Sequence, residues 1–319
     1  YVNFDGGTFR VGGPDGKSLF GTGNVGADRV TVAAGGATID TCGRLAYVQQ
    51  SIQAPAGKGL ASINLPTPIK QTALPAVKIT SATGVGASAF AHYDWETRTI
   101  DRIDILSAGV GYEDATVSLY FAMGANWTQT IDASNVTLAE NAPGGGFTKT
   151  GLGTLVLCAA NAWNGETHVA GGTLQAACDG AIPAGSDVVL SGGGILDLGD
   201  TVQKIASVTY RVGGGQIVNA GHAEMPDTAA FEISVDDILA GKSLALAGDV
   251  DLSKVTLTIT GAFPAEMSES TRYAFVTTTG RLSGRPTIHA PALPNAWRIF
   301  VRSSRLTLRR MNGGVVILR

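Results

Sequence analysis

Between residues 153 and 218 a glycine followed by a short apolar strand recurs at nearly even spacing, and that recurrence leaves few folds open. Gly153-Thr154-Leu155-Val156-Leu157 returns 19 positions on as Gly172-Thr173-Leu174-Gln175-Ala176. It returns 22 further on as Gly194-Ile195-Leu196-Asp197-Leu198, and 21 beyond that as Gly215-Gln216-Ile217-Val218. A unit of about 20 residues cannot bury an apolar face alone, so such units are stable only when stacked. One strand per coil, lying on the next coil at about 4.8 Å, gives a parallel β-helix. In that frame Leu155, Leu174, Leu196 and Ile217 each follow their glycine by two positions, and one interior ladder is expected. The glycine ahead of each strand permits a turn at positive φ or a close approach between coils.

The remainder of the chain agrees with an all-β reading. Runs such as Val255-Thr256-Leu257-Thr258-Ile259 and Arg305-Leu306-Thr307-Leu308 alternate with period two, and glycine clusters bound them. The 43 glycines among 319 residues show no third-residue period, so the chain is not collagen-like. Apolar residues make up 44%, too many for a disordered chain. No apolar run is long enough for a transmembrane helix. Helix signals concentrate at Ser234–Ala240, where Ser234 can cap and Asp237 sits three residues on; a short helix or a loop fits there. Three cysteines, Cys42, Cys158 and Cys178, are too few for a disulfide scaffold and lack metal-ligand spacing. Cys158 and Cys178 lie one coil apart but one position out of frame, so a bridge requires one of them to sit in a turn.

Residues 144–200 resemble the autotransporter-associated β-strand repeat found in passenger segments of bacterial surface proteins. The resemblance runs through Gly145-Gly146-Phe147-Thr148-Lys149-Thr150-Gly151-Leu152-Gly153-Thr154-Leu155-Val156-Leu157 and Asn161-Ala162-Trp163-Asn164-Gly165-Glu166-Thr167-His168-Val169. It continues in Gly171-Gly172-Thr173-Leu174-Gln175, Asp179-Gly180-Ala181-Ile182-Pro183 and Gly194-Ile195-Leu196-Asp197-Leu198-Gly199. Trp163, where tyrosine is commoner, and His168, where threonine is usual, depart from the pattern. Weaker echoes are Asp5-Gly6-Gly7-Thr8-Phe9 and Gly35-Gly36-Ala37-Thr38-Ile39 at one end and Tyr273-Ala274-Phe275-Val276 at the other.

The resemblance implies a right-handed β-helical solenoid on the cell exterior. The expected division is N-terminal rungs over 1–70, a small β-rich insert over 71–122, repeat-bearing β-helix over 123–225 and a C-terminal β capping or assembly module over 226–319. Proteins with such repeats end in a translocating outer-membrane barrel. This sequence closes on Val315-Val316-Ile317-Leu318-Arg319 with few strands after the repeats, so either a barrel lies outside this stretch or the protein is released without one, and release is the expectation. Tyr1 in place of Met reads as a trimmed precursor.

Residues able to do chemistry are scattered. Glycan-cleaving sites on β-helices need two or three carboxylates on one face. Asp179, Asp197 and Asp200 lie near turns of adjacent coils, but the frame puts only Asp197 within a strand. Glu166 and His168 are two apart on one strand face and read as a surface pair. His92, His168, His222 and His289 show no metal or catalytic spacing. Asp94, Glu96, Asp101 and Asp104 admit a calcium site, but Arg98 and Arg102 interleave with them, and a solvated strand face is expected. Glycine runs precede strands, not helices, so no phosphate loop forms. Trp95, Trp127 and Trp163 suit a sugar platform or coil-end packing. No cofactor, metal or nucleic-acid partner is expected.

Charge is polarised along the chain. Residues 1–150 carry 10 Lys/Arg and 12 Asp/Glu, residues 151–265 carry 4 and 12, and residues 266–319 carry 9 and 2. All nine cations of the last segment are arginines. Arg298, Arg302, Arg305, Arg309 and Arg310 form a candidate basic contact, and Val315, Val316, Ile317 and Leu318 a candidate assembly strand. The expected role is a secreted or surface-displayed, non-catalytic bacterial β-solenoid that self-associates as a stalk, matrix component or fibre subunit. An adhesin gripping surface glycans is the alternative, followed by a polysaccharide-degrading enzyme.

Overall fold

A computed structural model describes residues 1–21, 29–71, 73–121, 127–264 and 271–311. The chain winds as a parallel β-helix. The first coil is β1 (Val2–Phe4), β2 (Thr8–Arg10) and β3 (Lys17–Leu19), and the second is β4 (Val30–Val32), β5 (Ala37–Asp40) and β6 (Arg44–Val48). The third opens with β7 (Ile52–Gln53) and, after an insert, closes with β16 (Phe147–Thr150) and β17 (Gly153–Leu157). The insert contains β8 (Lys58–Ile63), β9 (Ile69–Lys70), β10 (Ala76–Thr80), β11 (Ser88–Asp94), β12 (Thr99–Ser107), β13 (Thr116–Phe121), β14 (Trp127–Thr130) and β15 (Val136–Glu140).

Three coils follow as strand pairs: β18 (Thr167–Val169) with β19 (Thr173–Ala176), β20 (Ser186–Leu190) with β21 (Gly194–Asp197), and β22 (Ile205–Tyr210) with β23 (Gly215–Val218). The next coil is β24 (Ala229–Ser234), helix α1 (Val235–Leu239) and β25 (Leu244–Leu246). Then come β26 (Val250–Asp251), β27 (Val255–Thr260) and β28 (Arg272–Thr278), followed by β29 (Leu282–Ser283) and β30 (Thr287–His289). The antiparallel hairpin β31 (Trp297–Val301) and β32 (Arg305–Arg310) ends the described chain.

Two long sheets result. One runs β2-β5-β16-β18-β20-β22-β24-β27-β30, and the other runs β3-β6-β17-β19-β21-β23-β25-β28-β32-β31. Leu155, Leu174, Leu196 and Ile217 pair consecutively in the second sheet. The first three are fully buried, while Ile217 is partly exposed and packs against the edge of the same core. Glycine precedes each strand for two separate reasons. Gly172 has φ +60°, whereas at Gly194 a Cβ would lie 2.2 Å from the Val169 carbonyl oxygen. α1 forms because Ser234 accepts the Asp237 amide at its N-terminus and Val235 and Ile238 are buried.

Two boundaries differ from the sequence expectation. The insert does not run from 71 to 122 but from Lys58 to Glu140, because β8 and β15 pair antiparallel and close it. It has its own core, including Leu60, Ile100, Val117 and Leu119, and it touches the first coil where Asn3 donates to Gly86 O and Ser107 Oγ. Parallel stacking also passes the expected limit of 225: β24, β27 and β30 continue the first sheet to His289. Within the two long sheets, only the last hairpin reverses direction among the described residues. The candidate assembly strand Val315–Leu318 lies outside the described residues. Among the described residues no helix is long and apolar enough to cross a membrane.

On the third side of the helix the strands β1, β4 and β7 give way to isolated parallel bridges, Gln53 to Ala162 and Lys204 to Glu224. Buried side-chain amides then link the coils. Asn161 Oδ1 accepts from Ile52 N at 2.8 Å, and its Nδ2 donates to Ala159 O and Ala181 O. Gln203 Oε1 accepts from Ile182 N at 2.9 Å, while Nε2 donates to Cys178 O and Thr201 Oγ1. Replacing Gln203 by Leu keeps the volume and strands the buried Ile182 N–H. We expect a loss of about 2 kcal/mol in urea unfolding. An unchanged midpoint would show that this amide does not hold the coils together.

Candidate functional site

Four arginines of the last segment, Arg272, Arg302, Arg305 and Arg309, line one face of the terminal antiparallel sheet. In such a sheet, directly opposed residues project to the same side. Arg272 on β28 opposes Arg309 on β32, which in turn opposes Arg298 on β31. One step along, Ala274, Thr307 and Phe300 form a second row. Arg302 and Arg305 close the hairpin end, joined by Arg302 N to Arg305 O at 2.9 Å. Together these rows bound a groove of about 370 Å³, with Ser303 and Ser304 in its rim.

Arg302, Arg305 and Arg309 from the expected basic contact therefore line the groove. Arg298 does not, because its guanidinium turns back to Asn295 O and Trp297 O. Arg310 opposes Trp297 and shares the opposite, core-directed side of the sheet. Arg272 was missed in the sequence because 37 positions separate it from its cross-strand partner; only a correct β28–β32 register would reveal it.

The other nominated residues are dispersed or committed. Asp197 accepts from Gln175, Asn219 and the Gly199 amide, Asp179 accepts from Val202 N, and Asp200 accepts from Gly221 N. Glu166 and His168 do not pair: Glu166 meets Arg211 at 3.6 Å, and His168 Nε2 meets Ser191 Oγ at 2.8 Å. Burial holds the His168 imidazole below its usual range, with the Glu166 charge acting in the opposite sense. Asp94 accepts from the amides of Glu96 and Thr97, Asp101 meets His92, and Asp104 meets Arg102. Among the described residues no three His, Cys, Asp or Glu side chains converge on a metal-sized site. Cys42, Cys158 and Cys178 are free thiols. Burial raises the last two above the ordinary thiol range.

Trp163 is not a sugar platform. It is 3% exposed, stacks on Phe147 at 4.7 Å, and donates its indole N–H to Thr167 Oγ1. Trp95 is exposed and sits edge-on to Tyr93. The side chain of Trp127 lies outside the described residues.

A second concavity, about 490 Å³, opens beside Ile217 where coil-to-coil pairing in the second sheet shrinks to Gly215 with Leu246. Two separate cores meet there, and Tyr210 packs against both. This seam explains why Ile217 is the least buried member of its ladder.

The coil from Phe147 to Ala176 holds the densest internal chemistry. Lys149 is fully buried, and its ammonium donates to Thr150 O, Gly151 O and Gly171 O at 2.8–3.0 Å. Thr167 Oγ1 shares a hydrogen bond with Ser186 Oγ of the next coil at 2.7 Å. Lys149, Asn161, Trp163 and Thr167 thus all spend their polar atoms inside the stack. Residues 147–176 match the passenger-associated transport repeat. The match covers the coil in which Phe147, Lys149, Trp163 and Leu174 lie. Lys149 and Asn161 satisfy backbone carbonyls there, and Trp163 and Thr167 bond to side chains. No curated protein matches the chain.

Proposed function

We propose that the chain is a non-catalytic, extracellular part of a bacterial passenger-type rod. The observation that carries this reading is the use of the passenger repeat's buried polar side chains, Lys149, Asn161 and Thr167, to bond coil to coil. Passenger repeats stack into elongated solenoids, and the nine parallel strands of the first sheet span about 40 Å at 4.8 Å each. The nominated carboxylates Glu166, Asp179, Asp197 and Asp200 serve turns and an ion pair, which favours a structural role over glycan cleavage.

Small-angle scattering of the purified chain should give the profile of a rod with its insert as a lateral bulge. A compact, near-spherical profile would overturn the reading. Incubation with polygalacturonate should release no reducing ends, and steady release that survives repurification would show that the chain is an enzyme.

A further inference from the structure

We propose that the groove between Arg272, Arg302, Arg305 and Arg309 binds an acidic polysaccharide, one bearing carboxylate or sulfate groups along its length. Opposed arginines repel, and like charges facing each other across strands are destabilising. Here Arg272 faces Arg309, and no carboxylate pairs with Arg272, Arg302, Arg305 or Arg309 among the described residues. Between residues 271 and 311 the sequence has eight arginines and no Asp or Glu. The repulsion is relieved when an anion sits between the guanidinium groups, whose planar forks match carboxylate and sulfate oxygens.

The arrangement selects a polymer over a lone anion. Arg305 and Arg309 stand four residues apart on β32, about 14 Å along the strand. One small anion cannot bridge that distance, whereas a chain with repeated anionic groups can. Midway lie Thr307 and the half-exposed ring of Phe300 on the facing strand. The Arg302 guanidinium lies over this ring at 5.9 Å, so an uncharged sugar face can rest on the part left exposed, while Ser303 and Ser304 supply hydroxyls for sugar hydroxyl groups.

Single-stranded nucleic acid fits less well, because tracking one needs a series of aromatic platforms and this groove offers one ring. A second copy of the chain fits less well too. Four of the twelve carboxylates in its acidic coils are already ion-paired, Glu166 and Glu232 with Arg211, Glu224 with Lys204 and Asp237 with Lys242, and Asp179, Asp197 and Asp200 accept backbone amides.

Fluorescence anisotropy of the full chain with labelled polygalacturonate and labelled dextran sulfate tests this at about 0.15 M salt. Both should bind, and neutral dextran should not. Arg305→Ser combined with Arg309→Ser should weaken binding about tenfold or more. Phe300→Leu, which keeps apolar volume but removes the ring, should weaken both glycans about threefold and leave inorganic polyphosphate unaffected. Both arginines are exposed, and melting curves matching the parent establish that the variants fold. Absence of glycan binding overturns the proposal, as does equal affinity of parent and double-serine variant. Binding of polyphosphate or single-stranded DNA at least as tightly as the glycans would reduce the groove to a generic polyanion surface and also overturn it. So would a salt-sensitive self-association that the double variant abolishes while glycan binding stays intact. None of these outcomes depends on the rod-like shape, so this proposal and the rod reading fail separately.

Discussion

Leu174→Asp should destabilise the central coils by several kcal/mol, a large fraction of the stability of an ordinary domain. Leu174 is fully buried and lies between Leu155 and Leu196, its partners in the neighbouring coils. A carboxylate there is held between the apolar side chains of Leu155 and Leu196, away from solvent. It must either stay ionised at high cost or take up a proton, and both penalise the fold. Leu174→Ala keeps the site apolar and leaves a cavity, so its cost should be about 2–5 kcal/mol. The neighbouring position gives the contrast. Gln175 lies on the opposite face of the strand and bonds to Asp197, so Gln175→Ser should cost less than about 1.5 kcal/mol. Urea unfolding followed by circular dichroism measures all three. If Leu174→Asp and Gln175→Ser unfold at the same midpoint, the ladder does not face the interior.

That ladder was legible because its period is written in local sequence: a glycine, two positions, an apolar residue, then about 20 residues to the next copy. The same frame predicted the offset of Cys158 from Cys178. Features that depend on distant partners were less accessible. β8 and β15 define the insert, yet Lys58 and Glu140 are 82 positions apart, and nothing near either marks it as the other's neighbour. The end of the parallel stack was placed too early because the glycine punctuation fades after Gly215, although β24, β27 and β30 still stack. Only burial distinguishes Trp163 from an exposed platform, and burial follows from its stacking on Phe147.

The basic groove was half legible. Composition located the arginines and period two separated Arg305 and Arg309 from Leu306 and Leu308. The antiparallel register was needed to add Arg272 and set aside Arg310. The buried amides of Asn161 and Gln203 left a fainter signal, single polar residues at corners where each coil otherwise reads Ala, Ile or Val.

Lys149 had no assigned role in the sequence, yet it predicts a change of stability with pH. Its side chain is wholly buried, and burial pushes its ammonium down to about 8, with the charge of Asp40 opposing that shift. In the unfolded chain the same group titrates near its ordinary value of about 10.5. Below pH 8 both states carry the proton, and the fold bears the full cost of the buried charge. Between about 8 and 10.5 the unfolded chain holds more protons than the folded one, so stability rises with pH across that window and levels off above it. The gap corresponds to about 3 kcal/mol as an upper figure. Hydrogen bonds to Thr150 O, Gly151 O and Gly171 O reduce the gain, because a neutral amine has only two protons for three carbonyls. Lys149→Met isolates the effect: it deletes the titration, leaves those carbonyls without their donor, and keeps the other titrating groups the same. The stability of the parent minus that of Lys149→Met should therefore increase by about 1–3 kcal/mol between pH 7 and pH 10.5. Urea unfolding of both proteins across that range measures the difference. A flat or falling difference would mean that the three carbonyls stabilise the ammonium enough to cancel the cost of burying it.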